Sequence, residues 1–145
     1  MSTKHEIFKD LKTERLILKP ISQKYKKEIY NHFSDPDVTK YMDIDVLESL
    51  AKAEEIINYD LSKRYWKKGF MSKAVTRLIK HGFKALKLHW IEAKVTDGNT
   101  PSCKLLEKLH FQKEGFLRDY NYWKGDYVSE YMYSLLENEF EKYYK

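Results

Sequence analysis

Cysteine, proline and glycine are scarce in this sequence, which has one, three and five of them among 145 residues. Since Cys103 has no partner for an internal disulfide, a disulfide-stabilised secreted scaffold is excluded and a cytoplasmic location is expected. No run of about 18 apolar residues is present, so we expect no transmembrane helix and no membrane partner. The first ten residues lack the apolar region of a secretory signal. What remains is the composition of one ordinary globular domain.

Acidic residues are outnumbered by basic ones, 22 against 27, which gives a formal net charge of +5. This excess favours anionic partners without identifying them. The densest basic cluster is Lys63, Arg64, Lys67 and Lys68. No helix-turn-helix, RNP-like or zinc motif accompanies it, so we expect no nucleic-acid partner. The histidines have no metal-ligand spacing, and no metal is expected.

The first half of the chain mixes a strand pattern with helix patterns. Residues 14–21 form a short apolar run typical of a strand. Ser22 can cap a helix whose apolar face includes Tyr25 and Phe33, and Asp35 followed by Pro36 marks another helix start. Residues 46–58 predict an amphipathic helix, and residues 58–62 predict the end of a strand.

The second half gives a clearer alternation of elements. Apolar residues at helical spacing predict a helix from Phe70 to Leu86, and residues 87–95 alternate as a strand does. Residues 100–111 predict a short helix. Two antiparallel strands then follow, joined by a turn around residues 124–126, with a polar tail that extends the last strand. The pattern indicates an α+β domain around a mixed sheet.

Gly69 stands between Lys68 and Phe70, where the loop after the predicted strand enters the helix. The first N–H groups of a helix have no intrahelical acceptors, and the helix dipole adds positive charge there. A glycine at this point lets a phosphate approach the backbone. The alternative is a helix whose first turn simply carries a glycine, and neither the Walker motif nor G-x-G-x-x-G is present.

Four stretches together resemble the GNAT superfamily of acetyl-CoA-dependent N-acetyltransferases. They are YDLSKRYWKKGFMSKAV, LKLHWIEAKVTDGNTPSCKLLEKLHFQKEGFLRD, LKTERLILKPI and YMYSLL. The similar branch is the RimJ/RimL-like one, whose named members acetylate ribosomal-protein N-termini. The resemblance implies one domain over residues 1–145, with a mostly antiparallel central sheet flanked by helices. It also implies an enzyme that moves an acetyl group from acetyl-CoA to a primary amine.

The resemblance also implies the site residues. The cofactor-binding set comprises Leu61, Trp66, Lys67, Lys68, Gly69, Phe70, Met71, Ser72, Asn99 and Ser102. Backbone N–H groups from Lys67 to Ser72 are expected to hold the coenzyme A pyrophosphate, while the strand edge at Leu61 and the side chain of Asn99 contact the pantetheine arm. Ser102 is expected near the thioester sulfur, and it is the expected catalytic acid because Leu106 stands where many relatives have tyrosine.

Several alternatives stay open at this point. Glu92 is either a general base or a solvated carboxylate, and Cys103 is either a core residue or a nucleophile. The acceptor is a protein N-terminus or a small amine, and the protein is a monomer or a homodimer. The alternative function is an acyl-CoA-binding module of the same fold that has lost catalysis.

The chain also departs from the family pattern. Met71 replaces a usual glycine or alanine, and His110 stands where glycine is common, at a position that favours positive φ. Between Asn58 and Tyr59 the family has a β-hairpin and half a strand, roughly 25–40 residues, that this sequence lacks. The segment is either missing from the numbered chain only or truly deleted, and the abrupt junction of helix and strand favours the first alternative. The missing strand is the usual home of the catalytic base.

Overall fold

The computed structural model describes residues 10–19, 25–41, 65 and 67–145. These residues belong to two compact units, Met1–Ala74 and Val75–Lys145. Among the sequence predictions, the helix at 46–58, the strand end at 58–62 and the Ser22 cap lie outside the described residues.

In the first unit, two-residue strands form a small antiparallel pair, β1 (Leu11–Lys12) and β2 (Ile17–Leu18). The predicted strand at 14–21 is therefore wrong in extent. The Thr13 hydroxyl accepts the backbone N–H groups of Arg15 at 3.2 Å and Leu16 at 2.9 Å, and this local bonding bends the chain before β2 begins.

Two short helices complete the first unit before the loop at 67–69. Helix α1 spans Lys26–Phe33, and α2 spans Pro36–Thr39. Asp35 caps α2 as predicted, since its carboxylate accepts the Asp37 N–H at 3.0 Å. Phe33 and Val38 supply buried apolar surface.

Helix α3 (Phe70–Lys84) has its first turn in the first unit and the remainder in the second. The other elements of the second unit are β3 (Trp90–Thr96), α4 (Thr100–Lys108), β4 (Gln112–Trp123), β5 (Asp126–Leu136) and α5 (Glu137–Tyr143). The predicted helices and strands of this half are confirmed, and so is the α+β fold class. Element ends differ by a few residues.

The three long strands form an antiparallel sheet in the order β3-β5-β4, so β5 is the central strand. β4 and β5 form a hairpin in which Trp123 pairs with Asp126. Lys124 and Gly125 between them have φ of 50° and 84°. Positive φ at both central residues is the turn geometry that matches the twist of a two-residue hairpin.

The core of the second unit lies on one face of this sheet. Its buried residues are Ile79, Phe83, Val95, Leu106, Leu109, Phe111, Tyr133, Leu135 and Phe140. Because side chains alternate along a strand, Tyr133 and Leu135 point to this face, whereas Glu130, an odd number of positions away, points to the opposite one. α3 lies close to β3, since a Cβ added at Gly82 would come within 3.0 Å of Ile91 Cδ1.

The C-terminal segment is a helix, so the prediction of a polar tail extending β5 is wrong. Glu139 accepts the backbone N–H of Leu136 at 2.9 Å and so begins α5. Phe140 is buried, with its ring stacked 4.8 Å from that of Phe83. The helix therefore covers one end of the core.

His110 has a φ of 63°, which confirms the prediction of positive φ at this position. The histidine ring stacks on Tyr143, with centroids 4.2 Å apart. This contact offsets part of the conformational cost of a non-glycine residue in the left-handed region.

Candidate functional site

A tight turn leads directly into α3. Lys67 and Gly69 have φ of 59° and 75°, and the Gly69 carbonyl accepts the N–H of Lys73 at 3.2 Å. The helical bonding pattern therefore begins at Gly69, and the N–H groups of the following three residues have no intrahelical acceptors. A turn of this handedness brings successive N–H groups to one side, as anion-binding loops do.

The space beside Gly69 is open. A Cβ built there meets no heavy atom of the described residues within 4 Å, so packing against these residues does not demand a glycine at this position. Its positive φ does favour one, because L residues with a side chain are strained there. The combination leaves bare backbone facing open space at the N-terminus of a 15-residue helix.

Cationic side chains surround this helix end. The Arg15 guanidinium lies 4.4 Å from the centroid of the Phe70 ring, and Lys68 Nζ lies 5.8 Å from the ring of Tyr65. Lys73 pairs with the exposed Glu14 at 3.5 Å. The first turn of α3 contains no acidic residue. Helix dipole and side chains thus favour an anion at the same place.

The structure thus brings together most of the predicted pyrophosphate-binding residues of the first unit. Lys67, Lys68 and Gly69 form the turn, and the first helical turn contains Phe70, Met71 and Ser72. Leu61 and Trp66 lie outside the described residues.

The remaining predicted residues, Asn99 and Ser102, lie at the N-terminus of α4 in the second unit. Asn99 is the N-cap of this helix, with Oδ1 accepting the Ser102 N–H at 3.3 Å. This capping role, typical of asparagine before a helix with an early proline, was missed in the sequence. Its amide nitrogen is left as a donor. Within the described part of the chain, no group hydrogen-bonds the half-buried Ser102 hydroxyl.

Further along α4, side chains pack against the core. Leu106 is buried, and the half-buried Cys103 packs against the same cluster, which confirms its interpretation as a core residue. The fully buried Tyr133 donates its hydroxyl hydrogen to Glu107 at 3.2 Å. Burial, with smaller contributions from Cys103 and Glu107, raises the pKa of Tyr133. This tyrosine hydroxyl therefore stays protonated at neutral pH.

The opposite face of the sheet carries a polar cluster, Lys94, Tyr120, Asn121 and Glu130. Lys94 Nζ donates to the Tyr120 hydroxyl at 3.1 Å, and this bond is the main reason that the pKa of Lys94 is raised. Asn121 Nδ2 donates to Glu130 Oε1 at 2.9 Å. The sequence analysis did not identify Glu130 as a candidate site residue. The alternation of β5 predicts only the face of the sheet on which its side chain lies.

Glu92 lies on the same face but at the sheet margin. Its side chain is 40% exposed and pairs with Lys94 at 3.8 Å. This exposure agrees with the interpretation of Glu92 as a solvated carboxylate.

A bulge in β4 adjoins the polar cluster. Leu117 pairs with Glu130 and Asn121 with Val128, so residues 118–120 face Ser129 alone. Asp119, with a φ of 48°, donates its N–H to the Ser129 hydroxyl at 3.0 Å. Bulges of this kind re-aim side chains and are common next to active sites.

Two searches of the structure cover only the residues that it describes. Among them, no three His, Cys, Asp or Glu side chains converge as metal ligands. Within the same residues, every helix is too short or too polar to cross a membrane.

Comparison with known proteins gives matches over most of the chain. Residues 51–112 match the family model described as "Acetyltransferase (GNAT) domain". The uncharacterized N-acetyltransferase p20 of Bacillus licheniformis is 36% identical over 173 residues, covering 90% of this chain and 97% of the relative. The [ribosomal protein uS5]-alanine N-acetyltransferase of Escherichia coli is 33% identical over 64 residues, covering 44% of this chain and 33% of that enzyme.

Solved structures give the same fold. An acetyltransferase (GNAT family) from Bacillus anthracis matches with a TM-score of 0.81 and 24% identity, over 90% of this chain and all of that chain. Spermidine N-acetyltransferase from Vibrio cholerae, in complex with CoA and spermine, matches with a TM-score of 0.71 and 18% identity, over 85% of this chain and 96% of that chain.

Proposed function

Because this chain belongs to the GNAT acetyltransferase family and is an N-acetyltransferase, we propose that it moves the acetyl group of acetyl-CoA to a primary amine by direct attack in a ternary complex. Residues 1–145 then act as one acetyl-CoA-binding domain. The acceptor that we favour is a protein N-terminus, since a relative with that activity is 33% identical in the matched region. A small polyamine is the other candidate, because the Vibrio cholerae protein of this fold is a spermidine N-acetyltransferase.

The observation that carries the proposal is the turn at Gly69. Its backbone faces open space, its φ is positive, and the N–H groups of Phe70, Met71 and Ser72 follow at a helix N-terminus. The cradle fits a pyrophosphate, which needs close backbone approach and several donors. Lys67 and Lys68 add charge that complements the phosphates.

The other predicted contacts keep their roles in this proposal. The strand edge at Leu61 binds the pantetheine arm by pairing with its amides, and Trp66 belongs to the pyrophosphate loop. The Asn99 Nδ2 group donates to the same arm while Oδ1 caps α4. Bound acetyl-CoA supplies an activated acetyl group as a thioester.

Ser102 is the acid that we assign to the leaving sulfur. Its hydroxyl lies in the first turn of α4, is half-buried, and is not engaged by the described residues. Leu106, the position of the tyrosine in many relatives, is buried and has no proton to give. Positioned proton donors of this kind contribute roughly 10²–10⁴-fold to a rate.

The missing β-hairpin remains part of the proposal. The alignment with the Bacillus licheniformis relative has 173 positions, whereas 90% of the 145 residues here is about 130, so roughly 40 positions of the relative face no residue of this chain. That length agrees with a hairpin plus half a strand. The expected place is between residues 58 and 59, outside the described residues.

Titration calorimetry tests the loop directly. We expect wild type to bind acetyl-CoA and desacetyl-CoA saturably, and Gly69→Glu to abolish binding because a carboxylate would occupy the phosphate position. Gly125→Glu is the matched control: Gly125 also has positive φ and no heavy atom within 4 Å of a built Cβ, but it lies in the β4–β5 turn.

The outcomes separate the possibilities. Loss of binding in the Gly69 variant alone supports the phosphate site, whereas equal affinity in both variants overturns it. Binding without transfer to an alanine-initiated peptide or to spermine would identify the alternative, an acyl-CoA-binding module without catalysis.

A further inference from the structure

Glu130 is a buried carboxylate with one oxygen unaccounted for. The residue is 7% exposed and lies on the central strand β5, on the face opposite the core. Asn121 satisfies Oε1, but Oε2 is buried and has no hydrogen-bond partner among the described residues. Leaving a carboxylate oxygen unpaired away from water costs several kcal/mol as an order of magnitude, so such atoms are rare unless a ligand meets them.

The neighbouring cation makes no hydrogen bond to Oε2. Lys94 lies on β3 diagonally from Glu130, since Thr96 is the direct partner of Glu130 in the register. Its ammonium is directed to the Tyr120 hydroxyl at 3.1 Å and to Glu92 at 3.8 Å. The hydrogen bond to Tyr120 contributes most to the raised pKa of Lys94, and the charges of Glu92 and Glu130 add to it.

We propose that Glu130 Oε2 binds the ammonium group of the acceptor and takes its proton. The inference rests on the proposed transfer to an amine. The unpaired atom requires a hydrogen-bond donor, preferably a cationic one, and the acceptor of this reaction is a primary ammonium at neutral pH. The family resemblance places the base on a segment that the described residues do not contain, so a base among them has to come from another element.

The proton balance of the step is complete. The ammonium loses one proton to Oε2, and the free amine forms a C–N bond to the acetyl carbon as the C–S bond breaks. The sulfur leaves with the bonding electron pair and receives a proton from the Ser102 hydroxyl, which regains one from the proton lost by the new amide nitrogen. Glu130 then returns its proton to solvent. The net products are an N-acetyl amine, CoA thiol and one proton.

The test compares Glu130→Gln with Glu92→Gln. Glutamine keeps the oxygen that Asn121 binds but cannot take a proton at the second position. The control removes the same charge from the same sheet face at an exposed site. With an alanine-initiated peptide and with spermine as acceptors, we expect kcat/KM of Glu130→Gln to fall about 100-fold or more, and that of Glu92→Gln less than about threefold. Both variants should bind acetyl-CoA as wild type does.

Urea unfolding provides a readout independent of transfer. An unpaired buried carboxylate kept for function destabilises the fold, so Glu130→Gln should be at least as stable as wild type. Lower stability with unchanged kcat/KM would overturn the proposal and make Glu130 structural. If wild type binds acetyl-CoA but acetylates neither acceptor, the proposed transfer fails and this inference fails with it. If wild type does acetylate and Glu130→Gln matches it, only the assignment of Glu130 fails.

Discussion

Replacing Tyr133 by phenylalanine should lower stability at pH 8 but not at pH 11. The side chain is fully buried, and its hydroxyl donates to Glu107 at 3.2 Å beside the Cys103 thiol. Because Glu107 is exposed, water can replace its lost partner, so no charge is left buried. We therefore expect Tyr133→Phe to lower the free energy of unfolding by about 1 kcal/mol at pH 8, the usual net contribution of one hydrogen bond.

At higher pH the raised pKa of Tyr133 reverses this deficit. The unfolded tyrosine ionises near pH 10, whereas the folded one, with its pKa raised above that value, keeps its proton. Stability from this group is complete below pH 10 and is lost as pH rises towards the folded pKa. By pH 11 the loss in wild type is about 1.4 kcal/mol, and phenylalanine has no such loss. The deficit of the variant should therefore vanish by pH 11.

Urea unfolding at pH 8 and pH 11, followed by circular dichroism, measures both effects. Titrating groups away from Tyr133 are shared by the two proteins and cancel in the difference, and the same comparison in a Cys103→Ala background removes the thiol that contacts Tyr133. A deficit of the same size at both pH values would show that the pKa of Tyr133 is not raised. Equal stability at pH 8 would show that the Glu107 hydrogen bond contributes nothing.

The remaining predictions concern the acid and the core. Ser102→Ala should lower kcat about 100-fold while the dissociation constant of acetyl-CoA, measured by calorimetry, stays within a factor of about three; unchanged kcat would remove Ser102 as the acid. Leu135→Ala, at a fully buried position, should cost roughly 2–5 kcal/mol of unfolding free energy. Leu86→Ala, at a position 44% exposed, should cost about 1 kcal/mol or less, and equal costs in urea unfolding would contradict the described core.

Elements with an apolar face were predictable because local sequence determines them. α3 carries apolar residues at helical spacing over four turns. In β3 apolar and polar residues alternate, so that Val95 faces the core. The hairpin turn at Gly125 was predictable for a similar reason, since few residues accept positive φ. In each case the physical requirement acts within one element.

Helix α5 was missed because its stability depends on a distant contact. A seven-residue helix is marginal on its own, and this one is held by Phe140 stacking on Phe83, 57 positions earlier in the sequence. Glu139 is a capping residue that the sequence shows, but one capping residue does not predict a helix without the contact between Phe140 and Phe83. The short β1–β2 pair was misjudged for the opposite reason, since the Thr13 side chain bends a segment whose apolar residues favour a strand.

The residues of the candidate site also differ in how far the sequence alone predicts them. Gly69 was found because a helix start has a local signature, whereas Asn99 was found through the family resemblance and its capping role was missed. Glu130 could not be predicted from its neighbours in the sequence, because its burial follows from β5 being the central strand, and the partner of its Oε1 comes from the bulged strand β4.

A chain that lacks about 40 positions of its relative has fewer helices and strands that could hold a general base. The central strand is the place where a carboxylate is held most rigidly, since it is bonded to neighbours on both sides. That rigidity, together with an oxygen left unpaired, is why a neutral substitution at Glu130 should affect transfer more than folding.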